Sequence, residues 1–320
     1  MDLLDRKIMK ELDLNCRQSH AKIARRVRSS KAVINYRIRK LEREGVIKKY
    51  IASINLGKLG YNTFKLYFKL FGLDEKIRKE FTDFICKIPN VIHCIRTEGA
   101  FDFSVVIATK NIIKLDQIIS VIRNRFSAII KDYRLSIIVS TRVFGRAKVL
   151  LGKVEPVPRV ETFSGAICDF GIEEKDRKIL RLLSEDASQS ILDVAKKSAL
   201  SVDVVKYRMK KMVSSGIINN FRILFDAGKL GYQHYVFLLN MRKATKKDEE
   251  KFATWCQYNK SVMYITKRVG FWDYETHVAL KDVGEYNAFV SSLEKELGDI
   301  LGDYETITHL EVLKLTYFPE

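Results

Sequence analysis

Apolar residues first recur at i, i+4, i+8 as Leu4, Ile8 and Leu12, one face of a helix. A second, shorter helix carries Ile23, Ala24 and Val27, and a third carries Ile34, Ile38 and Leu41. Ser19 and Ser30 stand where N-caps of these two helices belong. Gly45 stands where the third helix ends in a left-handed residue. Positions 46–54 then predict a strand or wing. Beyond them the pattern alternates: strand 63–71, helix 74–88 through Ile77, Phe81, Phe84 and Ile85, strands 91–96 and 101–108 around a turn at Gly99, helix 112–130, and a last strand 133–144. The order βαββαβ predicts a split, ferredoxin-like antiparallel sheet with both helices on one face. Its uncovered face needs a partner, so dimer-like pairing is expected.

The whole pattern then returns. Asp5-Arg6-Lys7-Ile8 recurs as Asp176-Arg177-Lys178-Ile179, an offset of 171 residues. The same offset carries Tyr36-Arg37 onto Tyr207-Arg208, Gly57–Tyr61 onto Gly228–Tyr232, Gly99 and Asp102 onto Gly270 and Asp273, and Asp132-Tyr133 onto Asp303-Tyr304. Copies of this length are too long for solenoid units and long enough for a core of their own. The expected class is α+β, with two winged helix-turn-helix domains each followed by a βαββαβ domain. The boundaries read 1–55 and 56–146 for the first copy, 147–171 for a linker containing Gly152, Pro156, Pro158, Gly165 and Gly171, and 172–226 and 227–320 for the second copy.

Charge separates the copies. The net charge of +18 is distributed as +9 over residues 1–55, +9 over 56–150, −1 over 151–171, +3 over 172–226 and −2 over 227–320. An excess concentrated in the first copy favours a polyanionic partner. Cys16, Cys86, Cys94, Cys168 and Cys256 form no C-x-x-C pair and none recurs at the offset, which argues for reduced thiols and against a zinc or disulfide framework. The longest apolar runs are strand-length, short of the roughly 20 residues of a membrane span. With an acidic opening, Met1-Asp2-Leu3-Leu4-Asp5, in place of a basic leader, a cytoplasmic protein is expected.

A helix, a tight turn and a second helix rich in Lys and Arg form a helix-turn-helix signal. The third helix is expected to enter the major groove of double-stranded DNA. Its outward residues are Lys31, Ala32, Asn35 and Arg39. Asn matches adenine and Arg matches guanine by bidentate contact. Arg25, Arg28, Ser29 and Lys40 are placed for phosphates, as positioning contacts. In the second copy Lys31 becomes Val202, Ala32 becomes Asp203 and Arg28 becomes Ala199, while Lys206, Lys210 and Lys211 remain basic. A weaker second head is therefore expected, with Lys206 and Lys210 its DNA-contacting residues.

The order of these elements resembles the Lrp/AsnC (feast/famine) family of transcription regulators. The resemblance is carried by Asp5-Arg6-Lys7-Ile8, the run from Ile34-Asn35-Tyr36-Arg37 to Gly45-Val46-Ile47, and Gly99-Ala100-Phe101-Asp102. It covers nearly the whole chain, twice. The resemblance implies sequence-specific DNA binding, assembly through the βαββαβ domains, and a small-molecule effector, often an amino acid, near the Gly99-x-x-Asp102 turn and its counterpart Gly270 and Asp273. By chemistry alone, the glycine allows a tight turn, and the aspartate either accepts from an ammonium group or caps that turn. The family pattern is broken by the fusion of two copies, so an intramolecular pseudo-dimer is expected, with further homo-oligomers open.

Two other classes compete. Proteins of the same paired architecture decarboxylate sirohaem with His and Arg around a tetrapyrrole cleft. Here His93, His234, His277 and His309 do not recur at the offset, no shared His/Arg cluster is legible, and structural or surface roles are expected. No phosphate loop, metal cluster or nucleophile–base signature appears, so the expectation is a non-enzyme without cofactor or metal. The third class is a non-specific architectural nucleic-acid binder, which the charge on residues 56–150 allows.

Overall fold

The computed structural model describes residues 1–72, 74–153, 160–164 and 169–319. The first copy runs α1 (Leu3–Leu14), α2 (His20–Val27), α3 (Lys31–Arg43), β1 (Ile47–Ile54), β2 (Asn62–Leu70), α4 (Glu75–Lys87), β3 (Val91–Gly99), β4 (Phe103–Thr109), α5 (Ile112–Phe126) and β5 (Ile130–Val143). A helix α6 (Ala147–Leu151) and a strand β6 (Glu161–Ser164) follow. The second copy runs α7 (Glu174–Glu185), α8 (Ile191–Ser198), α9 (Val202–Ser214), β7 (Ile218–Phe225), β8 (Gln233–Met241), α10 (Lys246–Tyr258), β9 (Val262–Gly270), β10 (Tyr274–Leu280), α11 (Val283–Leu297) and β11 (Leu301–Leu315). The mixed helix and strand architecture is the expected α+β class.

The compact units cut across the repeat. One contains Met1–Asn55, Phe144–Val160 and Gly171–Tyr232, and the other contains Leu56–Val143, Glu161–Phe170 and Gln233–Glu320. Head joins head, and sheet joins sheet.

In the head unit, Ser19 and Ser30 cap α2 and α3 by accepting from the Lys22 and Val33 N–H groups, and Ser190 and Ser201 repeat this at α8 and α9. Arg28 and Ala199, 171 residues apart, both close the helix-turn-helix corner in the left-handed region at φ 56°. The repeated sequence motifs meet in space. Arg37 Nη1 donates to Asp2 at 2.5 Å and Asp5 at 3.0 Å, and Arg208 donates to Glu173 at 2.6 Å and Asp176 at 3.0 Å. Each arginine ties its recognition helix to the start of its first helix.

The two wings pair with each other: β1 and β7 form an antiparallel ribbon, with Ile51 opposite Arg222, its own counterpart at the 171-residue offset. Backbone bonds flank it symmetrically, Cys16 N–H to Phe221 O at 2.9 Å and Ala187 N–H to Tyr50 O at 3.1 Å. The ion cluster beside it is not symmetric. Buried Asp13 accepts from Arg222 Nη2 at 2.7 Å and pairs with Arg146 at 3.2 Å. Their counterparts in the other copy include Ser184 and Ile51. The two guanidiniums hold Asp13 below the usual carboxylate range against the cost of its burial.

In the sheet unit, each copy builds a four-stranded antiparallel sheet, β5-β2-β4-β3 and β11-β8-β10-β9. The long last strands change partners midway. β5 pairs β2 through residues 130–137 and β9 through 136–143, and β11 pairs β8 through 301–309 and β3 through 307–315. The eight strands thus close into a ring. Residues alternate across it. Phe64, Leu66, Phe68 and Leu70 of β2 join the core beneath α4 and α5 with Phe81, Ile85, Ile118 and Phe126. Lys65 and Tyr67 turn to the other face, where Tyr67 packs with Phe101, Val236, Leu238, Trp272 and Ile307.

Three expectations shift. Helix α5 stops at Phe126 and its following strand starts at Ile130, earlier than the expected 133, because β5 already pairs with β2 there, Ile130 opposite Leu70. Strand β3 runs on through Gly99, since it pairs with β11 to that residue. The stretch 147–171 carries α6, with Val149 and Leu150 buried, and β6, paired with β5, so its prolines and glycines concealed two short elements. Pro156, Pro158, Gly165 and Cys168 lie outside the described residues; Cys16, Cys86, Cys94 and Cys256 form no disulfide.

Candidate nucleic-acid interface and the polar barrel interior

The third helix presents Lys31, Ala32 and Arg39 to solvent, with Asn35 and Lys40 half-buried. Arg25 and Arg28 are exposed and Ser29 is half-buried at the α2–α3 corner. Ile34, Ile38 and Leu41 are buried on the opposite side, as their spacing required. Asn35 is not isolated: its Oδ1 meets His20 Nδ1, a contact between α2 and α3 that the sequence reading missed. Ala32, Asn35, Arg39 and Lys40 line one shallow depression with Tyr36 and Arg43. Tyr36 is 63% exposed and Tyr207, its counterpart, 66%. The signal for it was available, since Tyr36-Arg37 repeats while only the arginine is used internally.

On α9, Lys206 and Lys210 are exposed. Asp203 stands beside Lys206 at 3.7 Å, so part of the positive field is cancelled on that face. Exposed surface ion pairs of this kind contribute little stability. Their effect here is on the local electrostatic potential.

Gly99 and Gly270 sit where the two sheets join. Gly99 is opposite Ile307 and Gly270 opposite Ser136. At φ +110° and +135°, a Cβ would lie 2.6 Å from Thr306 O and 2.8 Å from Leu135 O, so close approach of backbone from the other copy requires glycine. Asp102 accepts from Leu70 N–H at 2.8 Å and Lys69 Nζ at 3.0 Å, and Asp273 accepts from Met241 N–H at 2.7 Å. These carboxylates hold the edge of the neighbouring strand.

The barrel interior gathers side chains that the sequence reading left scattered. Lys65 Nζ donates to Glu275 Oε2 at 3.1 Å, Arg268 Nη2 donates to the same oxygen at 2.5 Å, and His277 Nε2 lies 3.2 Å from it. All four residues are buried. Burial pushes the Lys65 amine down to about 8, although Glu275 opposes this. It also holds His277 and His309 well below the ordinary imidazole value, and His93 down to about 3, with Lys65 adding to the effect. The expectation of no shared His/Arg cluster is therefore corrected. Positions related by the repeat offset do not share these residues; the cluster forms across strands. In a sheet of order β11-β8-β10, His309 lies directly opposite His234, and His277 lies two residues from Ala279, the residue opposite His234 on the other side.

Comparison with known proteins places this geometry in a lineage. Residues 1–48 and 172–219 match the winged helix-turn-helix DNA-binding family, and residues 69–147 match the Lrp/AsnC ligand binding domain. The proline dehydrogenase transcriptional activator of Rhizobium radiobacter is 32% identical over 116 residues, 36% of this chain and 74% of that protein. The chain belongs to the Lrp/AsnC family. The HTH-type transcriptional regulator FL11 of Pyrococcus horikoshii is 32% identical over 147 residues, 45% of this chain and 95% of that regulator. Among solved structures, the siroheme decarboxylase NirDL superposes with a TM-score of 0.62 over 98% of this chain and 93% of its own, at 16% identity. At that identity the likeness is one of fold. Among the described residues, no helix of this Lrp/AsnC protein is long and apolar enough to cross a membrane.

Proposed function

We propose that this chain is a sequence-specific DNA-binding transcription regulator that works as an intramolecular pseudo-dimer, with the first head dominant and the second weaker. The observation that carries the reading is the surface of α3. Lys31, Ala32, Asn35 and Arg39 share one outward face, beside Arg25, Arg28, Ser29 and Lys40, on a helix capped by Ser30 and locked by Arg37. Asn and Arg offer bidentate contacts to adenine and guanine edges, and the flanking cations meet phosphates. Domain limits at 1–55, 56–146, 172–226 and 227–320, with 147–171 between the copies, belong to this proposal. Selection from a random duplex pool at near-physiological salt tests it. Enrichment of one strong half-site supports the unequal heads, a near-palindrome supports two equal readers, and equal retention of scrambled DNA replaces the reading with a non-specific binder. Modulation by an amino acid remains part of the family-based proposal. Because Asp102 and Asp273 already accept from backbone N–H groups, such an effector would draw on groups other than these carboxylates alone, and titration calorimetry with the standard amino acids tests it.

A second reading is favoured by the barrel interior. Lys65, Arg268, His93, His234, His277 and His309 lie in a sheet unit of the fold found in NirDL, which has been solved with an iron-uroporphyrin III analogue. Visible absorbance after incubation with sirohaem distinguishes it: a retained Soret band supports a tetrapyrrole binder, and a flow-through of free pigment removes that reading.

A further inference from the structure

The barrel interior also holds an arrangement that DNA binding does not use. His234 and His309 face each other across β8 and β11 with ring centroids 4.2 Å apart, and His277 on β10 brings its ring to 5.2 Å from His234. His234 Nε2 and His277 Nδ1 are 3.0 Å apart. One ring nitrogen from each of the three lies within 4.8 Å of the others. A tetrahedral ion with metal–nitrogen bonds of about 2.0–2.1 Å spaces its ligand nitrogens about 3.3 Å apart. One pair is therefore already near that spacing, and side-chain rotation closes the widest.

We propose that His234, His277 and His309 form a three-histidine site for a divalent first-row transition-metal ion of the zinc, cobalt, nickel or copper class. Imidazole nitrogen suits these ions, and three histidines with an open fourth position is an established zinc arrangement. Two further observations point to a ligand. His309 Nε2 is buried without a hydrogen-bond partner. His277 presents its other nitrogen to Glu275 at 3.2 Å, the outer carboxylate that orients a ligating histidine. Nor does the fold need histidine at these places. The counterparts in the first copy, on the same strands of the matching sheet, are Thr63, Val106 and Ile138. Lys65 and Arg268 outnumber Glu275 and raise the electrostatic cost of a cation, so the site is expected to bind more weakly than a thiolate zinc site.

The test is titration of the chelator-treated full chain with Co2+, read by visible d–d absorption. One equivalent is expected to give tetrahedral bands that Zn2+ displaces. The paired variant His277→Val and His309→Ile, which installs the first copy's own residues, is expected to lose the bands while retaining its circular dichroism and DNA affinity. Glu275→Gln is expected to weaken Co2+ by about 10–100-fold. If the paired variant misfolds, His234→Thr alone and the loss of a Co2+-dependent rise in Tm serve in its place. Absence of bands in the native chain even with Co2+ in large excess, or bands that survive in a folded variant, overturns the proposal. So does uptake of sirohaem or a small carboxylate without any Co2+ binding. None of these outcomes bears on whether α3 reads DNA.

Discussion

The two copies are alike where they hold the fold together and unlike where they meet something else. Asp5 with Arg37 and Asp176 with Arg208 make the same ion pair, and Gly99 and Gly270 make the same close approach. Asp102 and Asp273 cap the same strand edge. The exposed face of the recognition helix, by contrast, keeps its cations in the first copy and gains Asp203 in the second. Inside the barrel the divergence runs the other way. The first copy contributes Lys65 and His93, while the second contributes His234, Arg268, Glu275, His277 and His309. A duplicated chain can specialise its copies because many of its scaffold contacts are made twice. Identity at the repeat offset marks architecture here, whereas difference falls on the recognition helix, the barrel interior and the Asp13 ion cluster.

That division can be broken by measurement. The largest effect is expected at a buried scaffold feature that is not duplicated. Asp13→Ala leaves Arg222 and Arg146 facing an empty place in a buried site, and a loss of about 3–5 kcal/mol is expected in urea unfolding. Ser184→Ala, at the counterpart position, is expected to show no loss of that size. The Asp13 carboxyl has a lowered native value. Its contribution is therefore full above the ordinary carboxylate range of about pH 4 and fades as pH falls through the depressed native value, which a pH series of the same unfolding curves checks.

Next come the joining glycines. Gly99→Ala and Gly270→Ala each place a methyl within 3 Å of a carbonyl oxygen of the other copy, at a backbone angle that favours glycine. About 2–4 kcal/mol of destabilisation is expected at each from strain and crowding together. Gly231→Ala, at φ +80° with open space around it, is expected to cost only about 1–2 kcal/mol. Unequal costs at Gly99 and Gly270 would break the symmetry claimed for the two joins.

The functional contrast sits below these. Arg39→Ala is expected to weaken specific DNA binding by about 1–3 kcal/mol, measured by fluorescence anisotropy on a selected duplex. Lys210→Ala is expected to weaken it less, and its salt dependence should fall by about 0.9 in log–log slope if it meets one phosphate. Equal losses would sink the unequal heads. The smallest effect is at the caps: Ser30→Ala and Ser201→Ala should each cost about 1 kcal/mol of stability, equally, since each removes the same bond to a helix N–H.

The sequence alone determined the elements of the repeated copies, their order and the doubling. Helical and strand periodicities are local, and a cap such as Ser30 lies three residues from the N–H it satisfies. The outward face of α3 follows from the spacing of Ile34, Ile38 and Leu41, so Lys31, Asn35 and Arg39 were legible without coordinates. What lay beyond the sequence were the pairings between distant segments. Nothing local says that β5 leaves β2 for β9, that the wings β1 and β7 pair with each other, or that Asn35 meets His20. The histidine cluster belongs to this second kind. His234, His277 and His309 come from three strands separated by whole helices and turns, and only the hydrogen-bonded order β11-β8-β10 makes them neighbours. Side chains that share one strand are placed by its period of two, but those that meet across strands are placed by register, and register is set by the packing of the whole sheet.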